Sequence, residues 1–117
     1  MSSRELIYIA GPISPLDNGH NAIDQFLRNI KIGVRHSAIL LNKGYAVYSP
    51  FVEWLLMLGE IDVKESDLKE NSMEILKRCD AIYLTQNPWL AGSKGMMEEL
   101  EIAEGRGIKI YKESDIP

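Results

Sequence analysis

Cysteine is nearly missing from this chain: Cys79 is the only one in 117 residues. A lone thiol excludes an internal disulfide and fits a reducing compartment. It cannot build a zinc site, and His20 and His36, the only histidines, lack partner ligands at metal spacing. We therefore expect neither a metal nor a cofactor. Positive charge is also short. Thirteen Lys and Arg stand against seventeen Asp and Glu, a formal net charge of −4, with a pI near 5.2. Coating a nucleic-acid polymer needs a basic face, whereas an acidic protein can still hold a small nucleotide at a helix N-terminus. The longest apolar runs, such as Trp54-Leu55-Leu56-Met57-Leu58, fall far short of a bilayer span. The first residues lack a basic stretch followed by an apolar core, so no signal peptide is expected and the chain reads as cytosolic. No Gly-x-Gly-x-x-Gly opens the first helix and no P-loop is present, which sets dinucleotide redox and ATP-driven chemistry aside.

What remains is an ordinary globular balance, 45% apolar and 26% charged, long enough for one domain over residues 1–117 with a core of its own. Leu6 to Ala10 is a continuous apolar run cut by Gly11-Pro12, the pattern of a strand buried on both faces. Asp17-Asn18-Gly19 reads as a turn. Ile23, Phe26, Leu27, Ile30, Val34, Ala38 and Leu41 then recur at helical spacing, closing at Asn42-Lys43-Gly44. Tyr45 to Tyr48 reads as a second strand, Trp54 to Leu58 as a short helix and Gly59 to Ser66 as a polar loop. A helix over about Asp67 to Arg78 leads into the strand Ala81 to Leu84. Gln86 to Gly92 reads as a loop, Ser93 as the cap of a helix to about Glu104 stopped by Gly105 and Gly107, and Ile108 to Tyr111 as the last strand.

Strands alternating with helices give a doubly wound α/β domain, a flavodoxin-like parallel sheet of four or five strands with helices on both faces. Ligands in such sheets sit beyond the carboxyl ends of the strands, where strand order reverses. That rule selects Gly11, Pro12, Ile13 and Ser14 after strand one, Ser49 and Pro50 after strand two, and Asn87 and Trp89 after strand three. The segment Ser93-Lys94-Gly95-Met96-Met97-Glu98-Glu99 rims the same crevice. Of the four glutamates on its helix, Glu98 and Glu101 are accounted for by the positive end of the helix dipole. Gly95 lies four residues before Glu99 and so shares its face, leaving open space above that carboxylate. The plain alternative is an acidic first-turn residue beside a close-packing glycine.

These segments resemble the nucleoside 2-deoxyribosyltransferases and the related deoxynucleoside monophosphate N-glycosidases. Tyr8-Ile9-Ala10-Gly11-Pro12 is similar to their opening strand and turn, and Cys79-Asp80-Ala81-Ile82-Tyr83 to their Asp-led central strand. Ser93 to Leu100 is similar to their Ser-x-Gly-x-x-x-Glu segment, whose glutamate is the nucleophile. Closer still is an uncharacterised phage and bacterial domain family with a Tyr-Ile-x-Gly-Pro opening and a Trp-x-x-Ser-Lys-Gly segment; here Trp89 to Gly95 carries one extra residue between Trp and Ser.

The resemblance implies that Glu99 attacks the anomeric carbon of a (deoxy)nucleoside or nucleotide, displaces the base, and yields its glycosyl group to water or a second base. It casts Tyr8 as the phenol that orients Glu99, Ser93 as a holder of the 5′ group and Trp89 as a base-stacking ring. The resembled enzymes are typically homodimers or larger, and Trp54 to Leu58 is apolar enough for an interface or for the core. The chain departs from the group at Ser72, where an aspartate usually stands eight residues before the strand-leading acid. Glu70 and Glu74 point roughly 160° and 200° away from the Ser72 direction on a helix and are poor stand-ins. Losing an acid–base partner costs about 10²–10⁴ in rate. A slow enzyme, substrate-assisted proton transfer, and a non-catalytic nucleotide-binding sensor or accessory protein using the same crevice all stay open. Asp80, at the opposite strand end, is given a structural role, Cys79 that of an inert packed thiol, and His36 a solvated helix face.

Overall fold

Apolar runs of four or five residues, each closed by a polar or glycine-bearing turn, build the centre of the molecule. A computed structural model describes residues 4–13, 22–53, 56, 59 and 61–116. Its elements are β1 (Leu6–Ala10), α1 (Ala22–Asn42), β2 (Ala46–Tyr48), α2 (Pro50–Glu53), α3 (Glu65–Leu76), β3 (Ala81–Leu84), α4 (Pro88–Ala91), α5 (Lys94–Arg106) and β4 (Lys109–Lys112), followed by a 3₁₀ turn at Glu113–Asp115. The four strands form one all-parallel sheet in the order β2-β1-β3-β4, a doubly wound α/β fold. Strand order reverses between β1 and β3, so the crevice rule points to their carboxyl ends.

Successive residues of a strand face opposite ways, and β1 feeds two cores. Ile7 and Ile9 pack with Leu40, Phe51, Ala81 and Tyr83 on the α1 side. Tyr8 and Ala10 pack with Leu76, Cys79, Ile82 and Ala103 on the α3 and α5 side. The strand edge away from the crevice is fastened by Asp80, which gives its N–H to Leu6 O and accepts the Leu6 N–H on Oδ2, both at 2.8 Å. Asp80 thus has the structural place expected of it. Cys79 is buried, its thiol donating to Ile75 O and pushed up to about 11 by burial and then by Asp80.

Four local expectations need correction. The face α1 turns inward runs through Ile30, Gly33, Ser37 and Leu40, while Leu27, Val34 and Leu41 are exposed. Gly33 is on the inner face because the Phe51 ring lies 2.5 Å from where its Cβ would be, and Ser37 settles its hydroxyl on Gly33 O at 2.7 Å. Small and polar residues at close contacts escape a hydrophobic pattern. His36 is half-buried rather than solvated, its Nδ1 2.9 Å from the Tyr83 hydroxyl. The expected loop at 86–92 contains α4, a single turn capped by Asn87, whose Oδ1 accepts from Trp89 N at 2.9 Å and Leu90 N at 3.1 Å. Gly105 lies inside α5, and only Gly107, at φ 69°, ends it. Ser14, Asp17-Asn18-Gly19, His20 and most of the expected Trp54–Leu58 helix lie outside the described residues; the helical turn that is described precedes it, at Pro50–Glu53. Among the described residues no helix is long and apolar enough to cross a membrane.

Candidate active site

Helix α5 begins where Ser93 accepts the Met96 N–H at 3.2 Å, the cap its sequence calls for. From there Met96, Glu99 and Ala103 form the buried stripe of the helix. Two of the three are what a core needs; the third is a carboxylate only 8% exposed. Burial is the main influence on it, and the Glu99 carboxyl is pushed up to about 7. A hydrogen bond from Tyr8 and the Lys69 ammonium oppose the rise, and Glu98 adds to it. The Tyr8 phenol, also buried, is raised far above its ordinary value, by desolvation first and by Glu99 next. Glu98 has a different place from the one expected: α5 starts at Lys94, so its first turn holds no acid, and Glu98 pairs with Lys69 of α3.

Glu99 and Tyr8 share the wall of a cavity of about 460 Å³ at the β1/β3 crevice. Gly11, Pro12 and Ile13 line it from the end of β1, and Pro50 from the end of β2. Ser72 and Lys69 face it from α3, and Ser93 and Gly95 from the start of α5. A Cβ added at Gly95 would meet nothing within 4 Å, so the space above Glu99 is open. Gly11 has the opposite reason for being glycine: a Cβ there would collide with Thr85 Oγ1 and come within 2.9 Å of Phe51 Cζ.

Three expected site residues lie elsewhere. Asn87 and Trp89 line a separate cavity of about 630 Å³ with Thr85, Leu100 and Lys112, beyond β3 and β4. The physical reason is α4: once Asn87 spends its side chain on the cap, Trp89 is carried outward and left 70% exposed. Ser49 does not line the Glu99 cavity either, and its hydroxyl is buried without a protein partner, as is that of Thr85.

The residue that sequence reasoning missed is Glu53. Its Oε2 accepts from Ser72 Oγ at 2.7 Å and from Tyr48 OH at 2.5 Å, and its Oε1 accepts from Asn71 Nδ2. Tyr48 is raised above its ordinary range by burial and then by Glu53, and its ring centroid lies 5.6 Å from that of Tyr8. The place where the resembled enzymes carry an acid is thus a serine hydrogen-bonded to a carboxylate from another helix. Ser49-Pro50 held the available signal: a serine before a first-position proline starts a helix and puts Glu53 at its end.

The arrangement has a buried carboxyl group raised well above its ordinary value, a phenol beside it, open space above it and a second carboxylate behind Ser72. That is equipment for nucleophilic attack on a carbon centre. Among the described residues no group of three or more His, Cys, Asp or Glu is placed to hold a metal ion. Comparison with curated proteins finds no match. The model of one family, a domain of unknown function designated DUF4406, matches residues 5–112, nearly the whole chain, and the protein belongs to that family.

Proposed function

We propose that the protein is an N-glycosidase or N-(deoxy)ribosyltransferase-like enzyme that cleaves or exchanges the base of a (deoxy)nucleoside or nucleotide. The observation that supports this reading best is Glu99 itself: a carboxylate at a core position, on the wall of an open cavity that it shares with the Tyr8 phenol. Burying an ionisable group is costly, and groups so perturbed in a cleft cluster at functional sites. The resemblance of the Tyr8–Pro12 and Ser93–Leu100 segments to the nucleoside 2-deoxyribosyltransferases gives that carboxylate its reaction.

In this reading Glu99 Oε attacks the anomeric carbon as the bond to the base breaks, forming a glycosyl ester. Water or a second base then attacks from the face that the first base left, opposite Glu99, breaking the ester and restoring the original configuration. Tyr8 holds the attacking carboxylate, Gly95 leaves room for the sugar, and the α5 N-terminus with Ser93 receives the 5′ hydroxyl or phosphate. Proton delivery to the leaving base falls to the Ser72 side of the cavity.

The second reading, a nucleotide-binding sensor using the same cavity, is favoured by Ser72 in place of an acid. Chromatographic detection of free base separates the two. Wild type and Glu99→Ala are incubated at high concentration with a panel of nucleosides and 5′-monophosphates. Base released by wild type alone is the expected result. Thermal stabilisation by a nucleotide without release assigns the site to binding, and silence in both readouts removes the nucleotide reading altogether.

A further inference from the structure

Three hydrogen-bond donors converge on Glu53 at the end of α2. Tyr48 of β2 gives its phenol hydrogen to Oε2 at 2.5 Å, Ser72 of α3 gives its hydroxyl hydrogen to the same oxygen at 2.7 Å, and Asn71 gives an amide hydrogen to Oε1. The carboxylate is anchored from two sides. Phe51, two residues earlier, is 1% exposed in the α1-side core, and Tyr48 lies in register with Tyr8 on the neighbouring strand. Glu53 therefore holds its place, and with it the direction of the Ser72 hydroxyl.

A serine inside a helix ordinarily turns its hydroxyl to water or to the carbonyl one turn back. Ser72 is only 9% exposed and sends its hydrogen across to another helix. A hydroxyl owns one hydrogen and two lone pairs. With the hydrogen committed to Glu53, lone pairs are all that Ser72 can offer the cavity it lines.

We propose that Glu53 makes Ser72 a fixed hydrogen-bond acceptor, and that the cavity thereby selects a ligand that brings a donor to that wall. A phosphate oxygen, a carbonyl or an unprotonated ring nitrogen set against Ser72 would meet lone pair with lone pair and leave a buried acceptor unpaired. The polarity of Ser72 stands on the hydrogen bonds alone; that the donor is a sugar hydroxyl rests on the function proposed above. In that reading a hydroxyl of the sugar ring donates to Ser72 Oγ, and a 5′ phosphate is kept to the α5 end of the cavity, where Ser93 and Lys94 stand. A departing base takes its proton from water in the open cavity on this side, not from Ser72, whose hydrogen is already spent. Glu53 touches no ligand and is a positioning residue.

Fluorinated nucleosides test the selection, because fluorine is close to a hydroxyl in size and donates nothing. Calorimetry on the full chain, in a Glu99→Gln background so that no ligand is consumed, compares each nucleoside that binds with its 2′-, 3′- and 5′-fluoro analogues. The hydroxyl form is expected to bind about ten- to a hundredfold more tightly than one of these analogues. Ser72→Ala removes the acceptor and brings that ratio to within about threefold. Glu53→Leu frees the Ser72 hydrogen to turn toward the ligand, with the same collapse. Glu53→Gln keeps the ratio, because Asn71 can turn its amide round and leave the glutamine oxygen to Tyr48 and Ser72. A merely structural Glu53 would weaken all the ligands together and leave the ratio alone.

Neutron diffraction from ligand-free crystals of the wild type in heavy water gives a second reading that needs no variant. Deuterium on Ser72 Oγ is expected on the line to Glu53 Oε2, and deuterium turned into the cavity overturns the proposal. Equal binding of the hydroxyl and all fluoro forms overturns it too, as does a preference that survives Ser72→Ala. Binding without discrimination would leave the nucleoside reading standing and sink the acceptor; deuterium on the Glu53 line with no nucleoside bound would do the reverse.

Discussion

The two faces of β1 are buried equally and filled differently. Ile7 and Ile9 are 0% exposed among side chains that are nearly all hydrocarbon, Leu40, Phe51, Ala81 and Tyr83. One residue along, Tyr8 and Ala10 are 1% and 0% exposed, and their side of the sheet holds the Ser72 hydroxyl and the Glu99 carboxylate at the crevice end. Equal burial therefore hides unequal physics. Hydrocarbon removed from water stabilises the fold by about 25 cal/mol per Å², whereas each buried polar group costs unless it is paired. The α1 face is almost entirely hydrocarbon, and the α5 face adds buried polar groups at the cavity, which the proposed function would put to use.

The largest test of that division is the loss of Glu99. In the Glu99→Ala variant base release is expected to fall by about 10⁴-fold or more, the scale seen when a nucleophile is removed, while the thermal midpoint does not fall. Release that persists within tenfold of wild type would move the nucleophile elsewhere. On the opposite face Leu40→Ala should cost about 2–5 kcal/mol of unfolding free energy in a urea titration. Its turnover per folded molecule should hold, because Leu40 packs away from the cavity. A Leu40→Ala protein that stays stable but turns over slowly would mean that the two faces are coupled.

The pH dependence follows from the same carboxylate. Burial raises the folded value of Glu99 to about 7, above its ordinary 4.5. A raised value means the folded state holds the proton more tightly than the unfolded chain. The contribution to stability is therefore complete below about pH 4.5 and lost as pH rises through about 7. Its size is of order 3 kcal/mol, at about 1.4 kcal/mol per unit. Glu99→Gln removes this dependence, so its denaturation midpoints should vary less between pH 5 and pH 8 than those of wild type. At pH 8 the variant should be the more stable of the two. Equal slopes for both proteins would show that the Glu99 charge is not desolvated.

Much of this was legible in the sequence, and the failures share a cause. The strands were readable because Leu6–Ala10 and Ala81–Leu84 are apolar runs with sharp ends, and the parallel order follows from strand–helix alternation. Ser93, Gly95 and Glu99 were readable because cap, gap and carboxylate lie within one helix turn or so, where spacing fixes geometry. The inner face of α1 was not, since Gly33 and Ser37 are there to fit Phe51 rather than to be apolar. Trp89 was misplaced because a four-residue helix capped by Asn87 turns the loop outward. Ser49-Pro50 could announce the helical turn that ends at Glu53, but not its pairing, because its partner Ser72 is nineteen residues away on another helix. Local spacing reports on residues within one element; contacts made by topology leave no spacing to read.

The smallest effects give the sharpest comparison, because α5 carries two glycines in open space. A Cβ at Gly95 or at Gly105 would meet nothing within 4 Å, so Ala at either position should stabilise the helix by about 0.5–1 kcal/mol. Only Gly95 lines the Glu99 cavity. Its added methyl would stand where a ligand must pass to reach the carboxylate, and overpacking of about 1–3 kcal/mol there corresponds to roughly a five- to 150-fold loss of base release. Gly105→Ala should gain the same stability and keep the full rate. Measuring melting midpoint and release together on both variants separates helix propensity from ligand space. If Gly95→Ala is stabilised and still turns over at the wild-type rate, the ligand does not approach Glu99 from above.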